Sequence, residues 1–539
     1  LYIALNYEVL RFGRVGYMNS VDFVVGIVII LAIAYATFKE FGRSFGFVLV
    51  GAIAYMFVGP VLPGFLQHEG FSVESVVSTA TVSLAGGAGA YGFVTEVIAA
   101  WVAIFVIFAG FIQGYGGLDW IKRTGEIVGK YTRSGPVQTA IMSSMGFGVI
   151  SGSGAANTAI TGSFTIPLMK DAQRLPGKFA AAIEGVASAG GQLMPPVMGA
   201  SAFVMAEFLG VSLAQIIIWA TPPAIIFYVS LMMGGHLLSL KYGEVDDSRL
   251  DVDFGVRDVI AQGYPIYLPI VLLVYLLVGL NMAIILAGLY ATASIFPLAI
   301  VYALFGPGIS GAETVVTEAM SRGEALLKST LEGARIGIVT AGRIGIVGAA
   351  VGIILGVIST TAIASRVALS LLEIAGGSFV ILLVLVALLA ILLGMGAPPI
   401  AAYIVTVTIL APSLFEFGVA EPQAHFFVFY FAVVSFITPP IAVATVISSS
   451  IADSDFLISS LEAVRFGIPL YMLPFAFIYF DLIPEGTVFS LGYFARFLLV
   501  LGAIVAIMYG SYARRSTIVR ASSVVAGVLL FVLPPVYVL

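Results

Sequence analysis

Hydrophobic residues run along this chain in long unbroken stretches, without the alternating or striped patterns of a water-soluble fold. Reading apolar runs of about 20 residues as membrane spans predicts helices near 22–38, 46–66, 94–113, 178–208, 213–238, 264–282, 284–304, 337–361, 425–450, 461–480, 490–510 and 521–538. Two further stretches, 137–168 and 378–411, are too long and too interrupted for one span, with Gly and Pro at their centres. Each is expected to be a re-entrant helical hairpin. Irregular backbone at membrane depth is tolerated only inside protein or against a watery cavity.

Composition agrees with that pattern. With 60% hydrophobic and 10% charged residues and a mean hydropathy of +1.10 over 539 residues, the chain is expected to be an all-α polytopic membrane protein surrounded by lipid. The absence of Cys excludes disulfides and thiolate chemistry. The three His, His68, His236 and His425, are too scattered for a metal cluster. No nucleophile with its base stands at helical spacing, so the chain is expected not to be an enzyme, and no cofactor beyond coupling ions is expected. The net charge of −5 does not point to nucleic acid. The opening LYIALNYEVLRFGRVGY lacks a signal-peptide pattern, and the expectation is that the sequence starts inside a longer chain.

Lys and Arg orient the spans. If both hairpins are re-entrant, the loops 39–44, 115–135, 170–178, 241–262, 306–335 and 511–520 share one side and hold 18 of the 24 Lys and Arg. That side is expected to be cytoplasmic. The opposite loops, 67–92, 209–212, 362–377, 412–424 and 482–489, hold only Arg366. Arg11 and Arg14 fall on the wrong side.

The unusual segments also come in pairs. GSGA at Gly152–Ala155 answers to GMGA at Gly394–Ala397, 242 residues on, and LMPPV at Leu193–Val197 answers to ITPPI at Ile437–Ile441, 244 residues on. The expected organisation is an N-terminal region 1–45, a first repeat 46–240, a linker and connecting helix 241–283, a second repeat 284–482, and C-terminal helices 483–539. Five full spans separate the starts of the two repeats, which inverts the second copy. Inverted repeats built around broken helices are the signature of secondary transporters.

In such a chain the polar stretches must line a site. The tip Gly152, Ser153, Gly154 turns the first hairpin, and Gly190, Gly191 with Pro195 and Pro196 break the following helix. The prolines are expected to start the next helix, as Pro does at a first turn, and helix starts near Ala155, Pro195, Pro398 and Pro439 are expected to face one cavity. Helix starts suit an anion and helix ends suit a cation. Ser153, Asn157, Thr158, Gln192, Ala397 and Thr438 are candidate substrate contacts. Gly152, Ser153, Gly154, Gly190, Gly191, Gly394, Gly396, Ser435 and Thr438 are candidate cation contacts. Thr161, Ser188 and Thr445 add further polar groups. Glu184 and Glu207 on the broken helix could be functional carboxylates or, near span ends, have a helix-cap or interface role. Arg343 could meet a carboxylate substrate, snorkel or form a scaffold ion pair, and His425 reads as structural.

SGSGAANTAITGSFTIPLMK, followed by AAAIEGVASAGGQLMPPVMGASAFVMAEFLGV, resembles the large membrane subunit of TRAP transporters, in particular the fused permeases of the TAXI branch. ILLGMGAPPIAAYIVTVTILAP and AHFFVFYFAVVSFITPPIAVA are similar to that family's second hairpin and second broken helix. The resemblance implies a multi-pass permease of the inner (cytoplasmic) membrane. It would receive a small organic carboxylate from a TAXI-type extracytoplasmic binding protein, use a sodium gradient and move as an elevator. The family's sodium sites match Gly152–Gly154, Gly190–Gln192, Gly394–Ala397 and Ser435–Thr438 here. Where the dicarboxylate and sialic-acid branch has Asp, this chain has Pro398, which leaves proton coupling open. A channel would need neither the paired broken hairpins nor a binding protein.

Overall fold

The computed structural model describes residues 2–14, 17–82, 87–243, 252–305, 315–484 and 490–538, and among these every regular element is a helix. In chain order the main helices are α1 Ser20–Val58, α2 Phe93–Gly114, α3 Gly117–Tyr131, α4 Gly135–Ser151, α5 Gly154–Asp171, α6 Gly177–Gly190, α7 Ala200–Phe208 and α8 Leu213–Tyr242. They continue with α9 Val256–Val274, α10 Ile284–Phe305, α11 Val315–Thr361, α12 Ile363–Ala375, α13 Phe379–Gly394, α14 Pro399–Glu416, α15 Glu421–Val434 and α16 Val443–Ala452. The last are α17 Phe456–Phe466, α18 Ile468–Tyr479, α19 Leu491–Tyr512 and α20 Thr517–Val538. Nine runs among the described residues are long and apolar enough to cross a membrane. The chain is therefore a multi-pass membrane protein. Val24, Val28, Leu31 and Tyr35 on α1 recur at helical spacing and stay exposed, as a lipid-facing stripe does.

Four expected loops differ. The loop 39–44 is reduced to Gly42, whose φ of 77° and ψ of −174° interrupt an otherwise continuous α1; only Gly takes that conformation without steric cost. The stretch 115–135 is mostly α3, which buries Ile121, Gly125 and Gly129 and exposes Lys122 and Arg123. The stretch 362–377 is mostly α12, which buries Ile363, Ala368, Leu371 and Ala375. Both helices are amphipathic, so a search for wholly apolar runs passes over them. The loop 306–335 is helical from Val315, the start of the 47-residue α11. Parts of 241–262 and 482–489 lie outside the described residues. Arg14 has a local reason for its position: it pairs with the buried Asp22, which belongs to the capping box that opens α1.

The chain divides into two compact units. One gathers Leu1–Val102, Phe203–Leu209 and Ala341–Ser435; the other gathers Ala103–Ala202, Gly210–Thr340 and Phe436–Leu539. In the first, α13 and α14 form a packed hairpin against α15 and α12. There Phe208, from the end of α7, meets Tyr403 of α14 and His425 of α15 edge-on or tilted, at ring distances of 6.5 and 5.8 Å. In the second unit α4 and α5 form the corresponding hairpin, packed on α6, and α16 lies against α5 and α6. Lys170 on α5 donates to the carbonyl of Ala452 at the end of α16, at 2.7 Å. Each hairpin thus packs with a helix that follows the other hairpin's break.

Candidate functional site

The same local sequence of events occurs twice. The second hairpin begins 244 residues after the first, Phe379 against Gly135, and each hairpin is followed by one helix and a cis Pro–Pro bond, Pro195–Pro196 and Pro439–Pro440. The helix after each break does not start at the prolines. It starts at Ala200 and at Val443. Between proline pair and helix stand residues in the left-handed region, Met198 and Gly199 in the first copy and Ala442 in the second. They redirect the chain before it can coil, and this overturns the expectation that Pro195 and Pro439 begin helices.

The first tip is built as its glycines require. Gly152 ends α4 with φ at 59°, and the hydroxyl of Ser153 caps α5 by accepting from the amide of Ala156 at 3.4 Å. Gly154 begins α5 and accepts at its carbonyl from Thr158 Oγ1, at 2.9 Å. The tip lies against the break. A Cβ on Gly148 would stand 2.4 Å from the Cα of Gly191, one on Gly154 would stand 2.3 Å from Gln192 Nε2, and one on Gly191 would stand 2.8 Å from Asn157 Nδ2. Asn157 is fully buried and spans the junction, donating from Nδ2 to the carbonyls of Ser144 at 2.8 Å and Ser188 at 3.5 Å.

Gln192 sits at the centre of this junction. It is buried, and among the described residues neither its Oε1 nor its Nε2 has a hydrogen-bond partner. A buried amide without partners costs free energy on the order of 1–3 kcal/mol. Such a group suits a ligand that can accept from its nitrogen or coordinate its oxygen. Gly190 also has a packing reason: a Cβ there would overlap the ring of Phe227 at 2.0 Å.

The candidates of the second copy fall in different units. Gly394, Gly396, Ala397 and Ser435 belong to the first, and Thr438 to the second. Gly396 turns the second tip with φ at 74° and Ala397 is buried beside it. A Cβ on Gly394 would stand 2.9 Å from Ser435 Oγ, whose hydrogen goes to the carbonyl of Ala432 at 2.6 Å. Thr438 shares a hydrogen bond with Tyr471 Oη at 2.8 Å.

Glu184 had two readings, and the structure removes one of them. It lies mid-way along α6, fully buried, and four hydroxyls surround its carboxylate: Ser144 at 2.7 Å, Thr161 at 2.5 Å and Ser188 at 2.9 Å on Oε1, and Thr165 at 2.6 Å on Oε2. This is no helix cap. Sequence reasoning did not see Ser144 and Thr165, although Asn157, Thr161 and Thr165 repeat at i, i+4 and i+8 along one face of α5. The other side candidates stand apart from this cluster. Glu207 is exposed, Arg343 pairs with Glu40 at 2.9 Å, and His425 Nδ1 shares a hydrogen bond with the buried Tyr403 hydroxyl at 2.8 Å. A separate cavity of about 740 Å³ is bordered by Tyr115, Trp120, Glu126, Phe254, Tyr302 and Ser329, none of them an expected site residue. There burial pushes the Glu126 carboxyl up, against the opposing pull of Lys122 and Arg123.

Two hairpins, two interrupted helices and an unpartnered amide where tip meets break define a polytopic membrane protein of the broken-helix type that secondary transporters use. The chain belongs to the family described as Tripartite ATP-independent periplasmic transporter, DctM component, which it matches over residues 21–483. It is thus the large membrane component of a TRAP transporter, and the match spans both hairpins and both breaks. No curated protein matched the sequence.

Proposed function

We propose that this DctM component is a TAXI-branch permease of the inner membrane. It takes up a small organic carboxylate delivered by an extracytoplasmic binding protein, drives that uptake with sodium, and moves its hairpin-bearing elements as an elevator. The observation that carries this reading is the buried, unpartnered Gln192 amide beside the Gly152–Gly154 tip. Its oxygen, the Ser153 hydroxyl and the last carbonyls of α4 suit a hard cation, while the amides opening α5 suit a carboxylate. Glu69, Glu416 and Glu421, from segments expected to face outward, are exposed and suit a basic docking partner.

The test is uptake into liposomes carrying the purified permease, with an imposed sodium gradient and the binding protein encoded beside it. Labelled carboxylate should enter only when that protein is present, saturating as its concentration rises. Charge reversal at Glu69, Glu416 or Glu421 should slow delivery and leave solute binding by the partner unchanged. Rapid uptake of an amine, or full activity without a binding protein, would overturn the proposal.

A further inference from the structure

The carboxylate of Glu184 is fully buried beside the hairpin junction, and the reading above gives it no task. Its surroundings differ from those of a structural ion pair. α6 packs against α4, α5, α8, α16, α17 and the turn Gly191–Leu193. The titratable groups on these elements are engaged elsewhere or point outward. Lys170 donates to Ala452, Lys178 on α6 itself pairs with Glu462 at 3.7 Å, and Arg465 lies 4.0 Å from the same Glu462. His236 meets Ser134 Oγ at 3.0 Å, Tyr228 donates to the carbonyl of Ala187 at 3.1 Å, Lys241 lies over the Tyr242 ring, and Asp171 is exposed. Among the described residues no Lys, Arg or His pairs with Glu184.

What surrounds it instead is a set of hydroxyls whose hydrogens can turn. With Glu184 ionised, Ser144, Thr161 and Ser188 donate to Oε1 and Thr165 donates to Oε2. Oε2 has the fewer donors, so it is the oxygen that accepts a proton. The new O–H then donates to Thr165 Oγ1, and the Thr165 hydrogen turns to the carbonyl of Thr161, already 2.9 Å away. Thr161 has the same second acceptor at the carbonyl of Asn157, at 2.8 Å. Both protonation states are therefore fully hydrogen-bonded without moving a heavy atom. A metal ion beside the carboxylate would instead have to displace hydroxyls that are hydrogen-bonded to it at 2.5–2.9 Å.

Resting on the transport reading above, we propose that Glu184 is a proton-exchanging carboxylate of the transport core, neutral in one stage of the cycle and ionised in another. The same network reaches the tip: Ser144 and Ser188 offer their carbonyls to Asn157 Nδ2, and Thr161 Oγ1 lies 3.1 Å from Asn157 Oδ1. A change of charge at Glu184 is then felt where the hairpin meets the break.

Infrared difference spectroscopy of the permease alone, in lipid, reads this without any transport assay. A protonated-carboxyl band distinct from those of the exposed carboxylates should appear and vanish as pH is stepped, and Glu184→Gln should remove that component alone. Thr165→Val, which removes one donor to the ionised form, should let protonation persist to higher pH by about one pH unit; it keeps the test readable if Glu184→Gln fails to fold. With binding protein present and sodium held equal on both sides, an inside-alkaline gradient should accelerate uptake by the native chain. Glu184→Gln should lose that response. No titrating band that depends on Glu184, a carboxylate band that responds to sodium but not to pH, or full pH-driven uptake by Glu184→Gln would each overturn the proposal. Absence of binding-protein-dependent uptake would count against the transport reading and leave the spectroscopic result intact.

Discussion

Gly152 and Gly199 meet backbone to backbone, hairpin tip against helix break. A Cβ on Gly152 would stand 2.3 Å from the Cα of Gly199, and both residues take positive φ, 59° and 67°. Neither position has room for a side chain, and neither backbone conformation suits one.

Gly152→Ala or Gly199→Ala should therefore cost at least about 1–2 kcal/mol from the left-handed backbone alone, and the overlap adds to that. Thermal unfolding in detergent should register the loss, and uptake should fall at least as far as stability does. Gly342→Ala makes the control, because a Cβ there meets nothing within 4 Å. It should leave both measurements near native values.

Gln192 allows stability and function to be pulled apart. An unpartnered buried amide destabilises the ligand-free fold, so Gln192→Leu should leave thermal stability unchanged or raise it by up to about 1–3 kcal/mol, while uptake is lost. Ser153→Ala and Asn157→Ala should raise the sodium concentration that half-saturates uptake. Asn157→Ala should also lower stability, since Nδ2 holds the Ser144 carbonyl. Normal uptake by Gln192→Leu would remove Gln192 from the site.

Within one unit, α2 and α11 cross where small residues face each other at four-residue spacing. A Cβ on Gly110 would stand 2.4 Å from the amide nitrogen of Gly337, and one on Gly114 would stand 2.6 Å from the Cα of Gly333. Helices in lipid gain their association from such close backbone approach. Gly110→Leu and Gly333→Leu should each destabilise the protein by about 1–3 kcal/mol or more, read as a lower unfolding temperature.

Ala172 is exposed in the short connection between α5 and α6. With no native Cys in the chain, Ala172→Cys gives a single labelling site. An impermeant thiol reagent should reach it only from the cytoplasmic side. Labelling from outside would reverse the orientation drawn from the Lys and Arg distribution.

The amino-acid order by itself determined where the chain runs through lipid and where it must break. Runs of about 20 apolar residues have few alternatives to a membrane helix. Clusters such as Gly190, Gly191, Pro195 and Pro196 interrupt a helix through their own backbone restrictions, so these features are local and legible. The amphipathic α3 and α12 were legible in principle, through burial every three or four residues, but not to a search for uniform apolarity. Other features came only with the tertiary structure. The helices after the breaks start at Ala200 and Val443 rather than at proline, because residues in the left-handed region intervene. Ser144 and Glu184 are 40 residues apart, and nothing in either neighbourhood states that they touch. A buried carboxylate is stabilised by whichever donors the packing of three helices delivers to it. That delivery depends on helix rotation and separation, which single-chain periodicity does not encode.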